Sequence, residues 1–187
     1  MRRRVLVLTG PVHSGKTTFL KGAAAFWDLA GIGVGGFLNE TRLDGGKVQG
    51  YDLVDLRGGA SIPFLRTAGE PGWQRVGGFS LVPGGLERAE GILARDIEAD
   101  ILVVDEVGPL ELAGRGIWPV LSAALSAGAR CLCVVRTSIL EEFRAKMGKR
   151  RIDIFRQGDP DVLECLTRRV RGRAGSKPGP EWRRKMS

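Results

Sequence analysis

The chain has 187 residues, of which 43% are hydrophobic and 27% are charged, and these proportions are ordinary for a soluble globular protein. No apolar run approaches the length that spans a bilayer, so we expect no membrane segment and no membrane partner. The formal net charge of +8 does not by itself indicate a basic folded surface. Most of it comes from one segment, because eight basic residues and a single acid lie between Arg168 and Lys185.

This basic segment also contains glycines and prolines that do not favour regular structure. We therefore divide the chain into one domain, residues 1–171, and a basic, flexible tail, residues 172–187. A solvated tail is the simpler interpretation of the charge. Salt-dependent contact with RNA, DNA or an anionic surface is the alternative.

The first predicted element is an apolar strand over residues 5–8, and a helix is predicted over residues 19–30. The loop between them fits the pattern G-x-x-x-x-G-K-[ST]. Its fixed positions are Gly10, Gly15, Lys16 and Thr17. A loop of this pattern between a strand and a helix is typical of a phosphate-binding loop, or Walker A motif.

The spacing of the loop has a chemical reason. Glycines let successive backbone N–H groups turn toward a phosphate, and the helix N-terminus adds unpaired donors and a positive dipole end. We expect Lys16 to reach the β- and γ-phosphates and to act in catalysis, and Thr17 to bind Mg²⁺. The predicted nucleotide-binding loop consists of Gly10, Pro11, Val12, His13, Ser14, Gly15, Lys16, Thr17 and Thr18.

A β-hairpin is predicted next, from two runs at 36–43 and 47–56 that flank a glycine-containing turn. Short extended pieces are expected over 61–66 and 76–82. The apolar spacing over 83–99 predicts a helix.

The second informative stretch is an apolar strand over 101–104 that ends in Asp105 and Glu106. Ligands of open α/β sheets gather at the carboxyl ends of the strands. Asp105 fits a Walker B aspartate that binds nucleotide-associated Mg²⁺, and Glu106 is placed to activate a water for attack on the γ-phosphorus. The simpler alternative is that Glu106 is a solvated or ion-paired strand end.

The remaining pattern alternates helices with strands: a helix near 116–127, a strand at 130–135, a helix at 139–147, a strand at 152–155 and a helix at 160–171. Such alternation predicts an α/β fold with a mainly parallel sheet and helices on both faces.

Several polar residues admit two interpretations. Arg136 and Thr137 follow a strand that would neighbour the metal-binding strand, so they suit either γ-phosphate sensing or a structural ion pair. Glu111 is either an orienting group for the acidic turn or a surface acid. The basic run at 144–151 is either a solvated helix end or an arginine lid of the kind that kinases place over phosphates.

The cysteines Cys131, Cys133 and Cys165 lack C-x-x-C spacing, and the only histidine, His13, lies in the phosphate loop. A zinc site therefore lacks ligands. We expect reduced thiols and a cytoplasmic protein.

Three stretches together resemble the THEP-type nucleoside triphosphatases, which are small P-loop proteins. They are Gly-Pro-Val-His-Ser-Gly-Lys-Thr-Thr at 10–18, Gly-Phe-Leu-Asn-Glu-Thr-Arg at 36–42 with Gly-Tyr-Asp-Leu-Val at 50–54, and Asp-Glu-Val-Gly-Pro-Leu-Glu-Leu at 105–112. The resemblance implies a RecA-like P-loop NTPase fold with an additional strand. It also implies hydrolysis of ATP, GTP and other nucleoside triphosphates.

The leading hypothesis is thus an Mg²⁺-dependent nucleoside triphosphatase, which we expect to be a monomer. Its catalytic residues would be Lys16 and Glu106, and its metal ligands Thr17 and Asp105. One alternative is a small-molecule or nucleotide kinase. The other is a nucleotide-switched ATPase that binds nucleic acid through the basic tail.

Overall fold

The computed structural model of the chain describes residues 4–171. Its strands are β1 (Val5–Gly10), β2 (Val34–Asp44), β3 (Lys47–Asp55), β4 (Ser61–Arg66), β5 (Arg75–Val76), β6 (Phe79–Leu81), β7 (Ile101–Val104), β8 (Cys131–Arg136) and β9 (Ile152–Arg156). Its helices are α1 (Lys16–Leu29), α2 (Gly85–Arg95), α3 (Pro109–Leu112), α4 (Trp118–Ala127), α5 (Leu140–Met147) and α6 (Val162–Arg171). The predicted basic tail, residues 172–187, lies outside the described residues.

All nine of these strands form one mixed sheet in the order β5-β6-β4-β3-β2-β7-β8-β1-β9. The five strands from β2 to β9 in that order pair in parallel, and the other four add on in antiparallel fashion. Strand β8 lies between β1 and β7, which is the additional strand that the resemblance implies. The prediction of a mainly parallel P-loop sheet with an added hairpin is confirmed.

Helices cover both faces of the sheet, as the alternation of strands and helices predicts. In β1, Leu6 and Leu8 pack with α1 and α6, whereas Val5 and Val7 belong to the core that contains α2, α4 and α5. The strand is therefore buried on both faces, which explains why it is a continuous apolar run rather than an alternating one.

The hairpin differs from a simple addition because its first strand, β2, is also a strand of the parallel sheet. Gly36 and Phe37 pair with the end of β7, and β2 then continues beyond that strand while pairing with β3. Gly36 adopts φ +91°, and a Cβ there would lie 1.9 Å from the carbonyl oxygen of Val103. Only glycine allows the two strands to approach this closely.

Two local features depart from the predicted boundaries. Helix α2 begins at Gly85, after a left-handed Gly84 with φ +74°, and is shorter than the predicted helix over 83–99. The single-turn helix α3 was not predicted. The Glu111 carboxylate accepts a hydrogen bond of 2.9 Å from the N–H of Gly108, the residue before this helix.

A cluster of charged side chains joins the C-terminal end of β3 to the C-terminal end of α2. This Asp55–Asp96 cluster consists of Asp55, Arg57, Arg95 and Asp96. Arg95 donates two hydrogen bonds of 2.8 Å to Asp55 and also binds Asp96, which accepts a further bond from Arg57. Both carboxylates are buried.

Within residues 4–171, no helix combines the length and apolar character needed to cross a bilayer.

Candidate active site

The phosphate loop turns between β1 and α1 through two left-handed residues, His13 with φ 60° and Gly15 with φ 81°. Gly15 precedes the first helical residue, Lys16. The Lys16 amine donates to the carbonyl oxygens of Gly10 at 3.2 Å and Pro11 at 2.5 Å, and to Ser14 Oγ at 3.3 Å. The loop thus holds the amine inside its own concave side.

Asp105 follows β7 directly and is buried beside the start of α1. Its Oδ2 accepts a 2.7 Å hydrogen bond from Thr17 Oγ1 and a 3.3 Å bond from the backbone N–H of Asn39. Burial raises the pKa of Asp105 to about 6, although the Thr17 and Asn39 hydrogen bonds oppose that rise. The two hydrogen bonds and the Lys16 charge therefore do not offset the cost of burying this carboxylate in its ionised form.

This arrangement fits a hard divalent cation. The Thr17 hydroxyl and the Asp105 carboxylate offer oxygen atoms 2.7 Å apart as metal ligands. Asn39, whose backbone N–H donates to Asp105, has its side-chain Oδ1 buried without a hydrogen-bond partner among the described residues. In the described part of the chain, no group of three or more His, Cys, Asp or Glu residues could hold a metal alone. Two protein ligands plus phosphates and water are the pattern typical of Mg²⁺.

Glu106 is the next residue, joined to Asp105 by a cis peptide bond. Its carboxylate forms an ion pair with Arg136, with Oε1 and Nε 2.6 Å apart. The side chains of Glu106 and Arg136 are 24% and 44% exposed, respectively, so the pair faces the open cleft.

The loop and the acidic strand end act on each other electrostatically. Burial lowers the pKa of the Lys16 amine below its usual value, while the charges of Glu106 and Asp105 oppose that change. The two segments, almost 90 residues apart in sequence, therefore meet at one place, as the sequence analysis expects.

A cleft of about 750 Å³ lies over this meeting point. Residues 12–18, Asp105 and Glu106 line one side of it. The opposite wall belongs to the antiparallel part of the sheet and includes Tyr51, Phe64, Arg75 and Phe79. The Tyr51 and Phe79 rings contact each other edge to face, with centroids 5.2 Å apart.

Other predicted residues are distributed unevenly around the cleft. Arg136 and Glu111 line it, whereas Thr137 does not, and neither does Arg42 of the stretch at 36–42 that carries the family resemblance. Arg42 is 3.8 Å from Asp52 on the outer hairpin, and Thr137 Oγ1 is 3.5 Å from Thr9 Oγ1. Gly10 and Pro11 contribute their carbonyl oxygens to Lys16 and do not line the cleft.

The basic run at 144–151 also lies away from the cleft lining. Lys146 donates to Leu112 O at 2.9 Å and sits 4.2 Å from the centre of the Trp118 ring. Arg144 pairs with Glu141, and Arg150 donates to Ser126 Oγ. These contacts favour a role in helix packing over a role as a phosphate lid.

Sequence reasoning did not assign two parts of the site. One is Asn39, which lies within a stretch that carried the family resemblance but has no charge to single it out. The other is the aromatic wall around Tyr51 and Phe79, whose members come from three different strands. No local spacing connects those residues, because only the antiparallel pairing brings them together.

A model of the NTPase family matches residues 5–161 of this chain. Among curated proteins, the nucleoside-triphosphatase THEP1 of Methanopyrus kandleri is 30% identical over 152 residues, which is 81% of this chain and 83% of the relative. THEP1 of Archaeoglobus fulgidus is 40% identical over 112 residues, which is 59% of this chain and 64% of the relative.

The crystal structure of THEP1 from the hyperthermophile Aquifex aeolicus has a similar fold. It superposes with a TM-score of 0.63 at 19% sequence identity and covers 87% of this chain and 96% of its own. The shared architecture includes the mainly parallel sheet described above.

Proposed function

Because this chain belongs to the NTPase family and is a nucleoside-triphosphate hydrolase, we propose that it cleaves ATP, GTP and other nucleoside triphosphates by water attack on the γ-phosphate. One observation carries the proposal. Thr17 of the phosphate loop binds Asp105 directly, and Glu106 lines the same cleft one residue later.

The phosphate loop binds the β- and γ-phosphates in this proposal. Its backbone N–H groups and the N-terminus of α1 supply donors. The Lys16 amine turns from the Gly10 and Pro11 carbonyl oxygens to phosphate oxygens, where its charge stabilises the charge that develops in the transition state. Since these contacts involve only phosphates, triphosphates with different bases are all expected to be substrates.

Thr17 and Asp105 are the residues that would hold Mg²⁺. The ion supplies neutralisation of phosphate charge when bound. The Asp105 carboxylate is already oriented for the ion, because Thr17 and the backbone N–H of Asn39 donate hydrogen bonds to it. Burial raises the pKa of this carboxylate, and a cation bound beside it would favour its ionised form.

Glu106 acts as the general base. It accepts a proton from the attacking water as the oxygen of that water bonds to the γ-phosphorus and the bond to the leaving diphosphate breaks. Asp105 and Glu106 have different roles in this proposal. Asp105, buried against Thr17, is the metal ligand, and Glu106, a quarter exposed, is the general base.

The kinase alternative receives less support from the geometry. Its expected lid, the basic run at 144–151, pairs with carbonyl, hydroxyl and carboxylate groups outside the cleft. A water-activating carboxylate beside the γ-phosphate would also promote wasteful hydrolysis in a kinase.

The test is steady-state phosphate release from ATP and GTP by the wild type, by Glu106→Gln and by Glu164→Gln as a matched control. Glu164 is an exposed acid on α6. We expect Glu106→Gln to lower kcat by about 10²- to 10⁴-fold, which is the usual contribution of general base catalysis, and the control to match the wild type. An unchanged rate in Glu106→Gln removes Glu106 from the mechanism. Phosphate that appears on an added acceptor instead of in solution supports the kinase.

A further inference from the structure

We propose that Arg136 exchanges partners during turnover, from the Glu106 carboxylate in the nucleotide-free enzyme to the γ-phosphate of a bound triphosphate. Arg136 thereby becomes a phosphate-contacting catalytic residue supplied by the chain itself. The same exchange releases Glu106 to accept a proton from water. This inference rests on the proposed hydrolysis and adds to it a sensor for the γ-phosphate.

The position of Arg136 in the sheet supports the exchange. Arg136 is the last residue of β8, and its Cα is in register with Gly10, the first glycine of the phosphate loop. On the other side of β8, the chain that follows Glu106 returns to the strand, where Val107 N donates to Val134 O at 2.9 Å. Arg136 therefore lies between the loop that binds phosphate and the segment that carries the general base.

The geometry of the ion pair is that of a close but imperfect contact. Nε of Arg136 is 2.6 Å from Glu106 Oε1, yet this buried nitrogen makes no aligned hydrogen bond within the described residues. Glu106 thus neutralises the guanidinium charge without satisfying this N–H donor. A phosphate oxygen in the cleft would therefore offer Arg136 an acceptor that Glu106 does not fully supply.

The strength of the pair also permits the exchange. Arg136 is 44% exposed and Glu106 is 24% exposed, and ion pairs that face water contribute little to stability because solvent screens them. A terminal phosphate carries more negative charge than a carboxylate and accepts the paired N–H groups of arginine. A triphosphate in the loop can therefore compete for the guanidinium.

The exchange links binding to chemistry. While Glu106 Oε1 contacts Arg136, that oxygen is less available to accept a proton from water. Once Arg136 turns to the γ-phosphate, Glu106 faces the cleft without its partner. Arg136 keeps its protons throughout: the proton of water goes to Glu106, and the electron pair of the broken bond goes to the diphosphate oxygen.

The decisive experiment is a double-mutant cycle of nucleotide binding with wild type, Arg136→Gln, Glu106→Gln and the double variant. The dissociation constants of a non-hydrolysable triphosphate analogue and of the diphosphate are measured with Mg²⁺. Arg136→Gln is expected to raise the dissociation constant of the analogue by about 10-fold, within the usual range for coupled contacts. The dissociation constant of the diphosphate should stay within about 2-fold of the wild-type value.

Glu106→Gln is expected to tighten binding of the analogue only where Arg136 is present, because it releases the guanidinium. Equal tightening in both backgrounds would mean that Glu106 simply repels phosphate, and it would overturn the exchange. An unchanged ratio of analogue to diphosphate affinity in Arg136→Gln would overturn it as well.

Controls separate the exchange from a structural role. Arg144→Gln removes an arginine that lies away from the cleft lining and pairs with Glu141, and it should leave the affinity ratio unchanged. Arg136→Lys should restore part of the discrimination and part of a kcat that falls by about 10²-fold or more in Arg136→Gln, given the size of arginine effects on phosphoryl transfer. If the wild type releases no phosphate, the proposed function fails. The binding cycle still decides the exchange, since it needs no turnover.

Discussion

The molecule contains two sets of buried acids whose pKa values are shifted in opposite directions. Asp105 at the phosphate loop is 2% exposed, and Asp55 and Asp96 in the Asp55–Asp96 cluster are 5% and 1% exposed. Burial raises the pKa of Asp105 to about 6. Hydrogen bonds from Arg95 lower the pKa of Asp55. Burial acts to raise the pKa of Asp96, but its arginine and backbone donors together lower it.

At similar burial, the two sets of acids differ in the hydrogen-bond donors and arginines that surround them. Asp96 has a full set of donors, including Gly36 N at 3.1 Å, and two arginines beside it. Asp105 has two donors and no arginine partner among the described residues. A carboxylate that is buried with few charged partners is costly to keep ionised.

The largest expected effect comes from Asp105→Asn. We predict that kcat with Mg²⁺ falls by at least about 10²-fold, because metal contacts of this kind supply several kcal/mol to the transition state. The free energy of unfolding in the presence of EDTA should change by less than about 1 kcal/mol, because a neutral amide replaces a buried carboxylate that has no arginine partner. Phosphate release and urea unfolding measure the two quantities.

Loss of stability without loss of activity in Asp105→Asn would break the comparison. Thr17→Ser provides the matched control, since it keeps the hydroxyl that reaches Asp105. Its Mg²⁺ concentration for half-maximal rate should stay close to that of the wild type.

Asp96→Asn should show the opposite pattern. We predict a loss of about 2 kcal/mol in the free energy of unfolding, because the change leaves the Arg95 guanidinium short of one charged acceptor. The kcat of the folded fraction should change little, because none of the members of the cluster line the cleft. Urea unfolding of Asp96→Asn is compared with Glu164→Gln, an exposed acid for which a change within about 0.5 kcal/mol is expected.

The pH dependence of stability sharpens the same contrast. Since the pKa values of Asp55 and Asp96 are lower in the folded chain than in the unfolded one, their contribution is present above about pH 4 and is lost as the pH falls through the folded values. Arg95→Gln removes the main donor to both. Its stability should therefore depend less on pH between about 5 and 2, by about 1 kcal/mol, as measured by urea unfolding at several pH values.

The smallest effect on kcat and stability is expected from removal of the basic tail, whose charges belong to neither set of acids. Removal of residues 172–187 should change kcat by less than about 2-fold and unfolding by less than about 0.5 kcal/mol, as for surface substitutions. A titration with RNA at two salt concentrations tests the remaining alternative. Salt-sensitive binding that disappears with the tail would support a nucleic-acid partner.

The sequence predicted the local parts of this design. The phosphate loop, the 101–104 strand and the hairpin are each encoded within about 20 residues, by spacing, apolar runs and glycines. The acids at 105 and 106 were informative because a parallel strand ends at the ligand-binding edge of its sheet.

The non-local parts were beyond the sequence. Arg95 reaches Asp55 across 40 residues, and Arg136 reaches Glu106 through a contact between neighbouring strands. By local rules Arg95 could have been a surface residue. The sequence did place Arg136 beside the acidic strand end, but it left γ-phosphate sensing and a structural ion pair both open and did not identify Glu106 as the partner. The sequence also left the 61–66 and 76–82 segments as isolated extended pieces, whereas their pairing builds the far wall of the cleft.

The continuity of β2 has a consequence for the surroundings of Asp105. One strand runs from the parallel sheet, past the Asn39 amide that touches Asp105, to an exposed two-glycine tip at residues 45 and 46. Because the exposed tip and the Asn39 amide belong to one continuous stretch of chain, a displacement of β2 at the tip is expected to change the hydrogen bond that Asp105 accepts from Asn39.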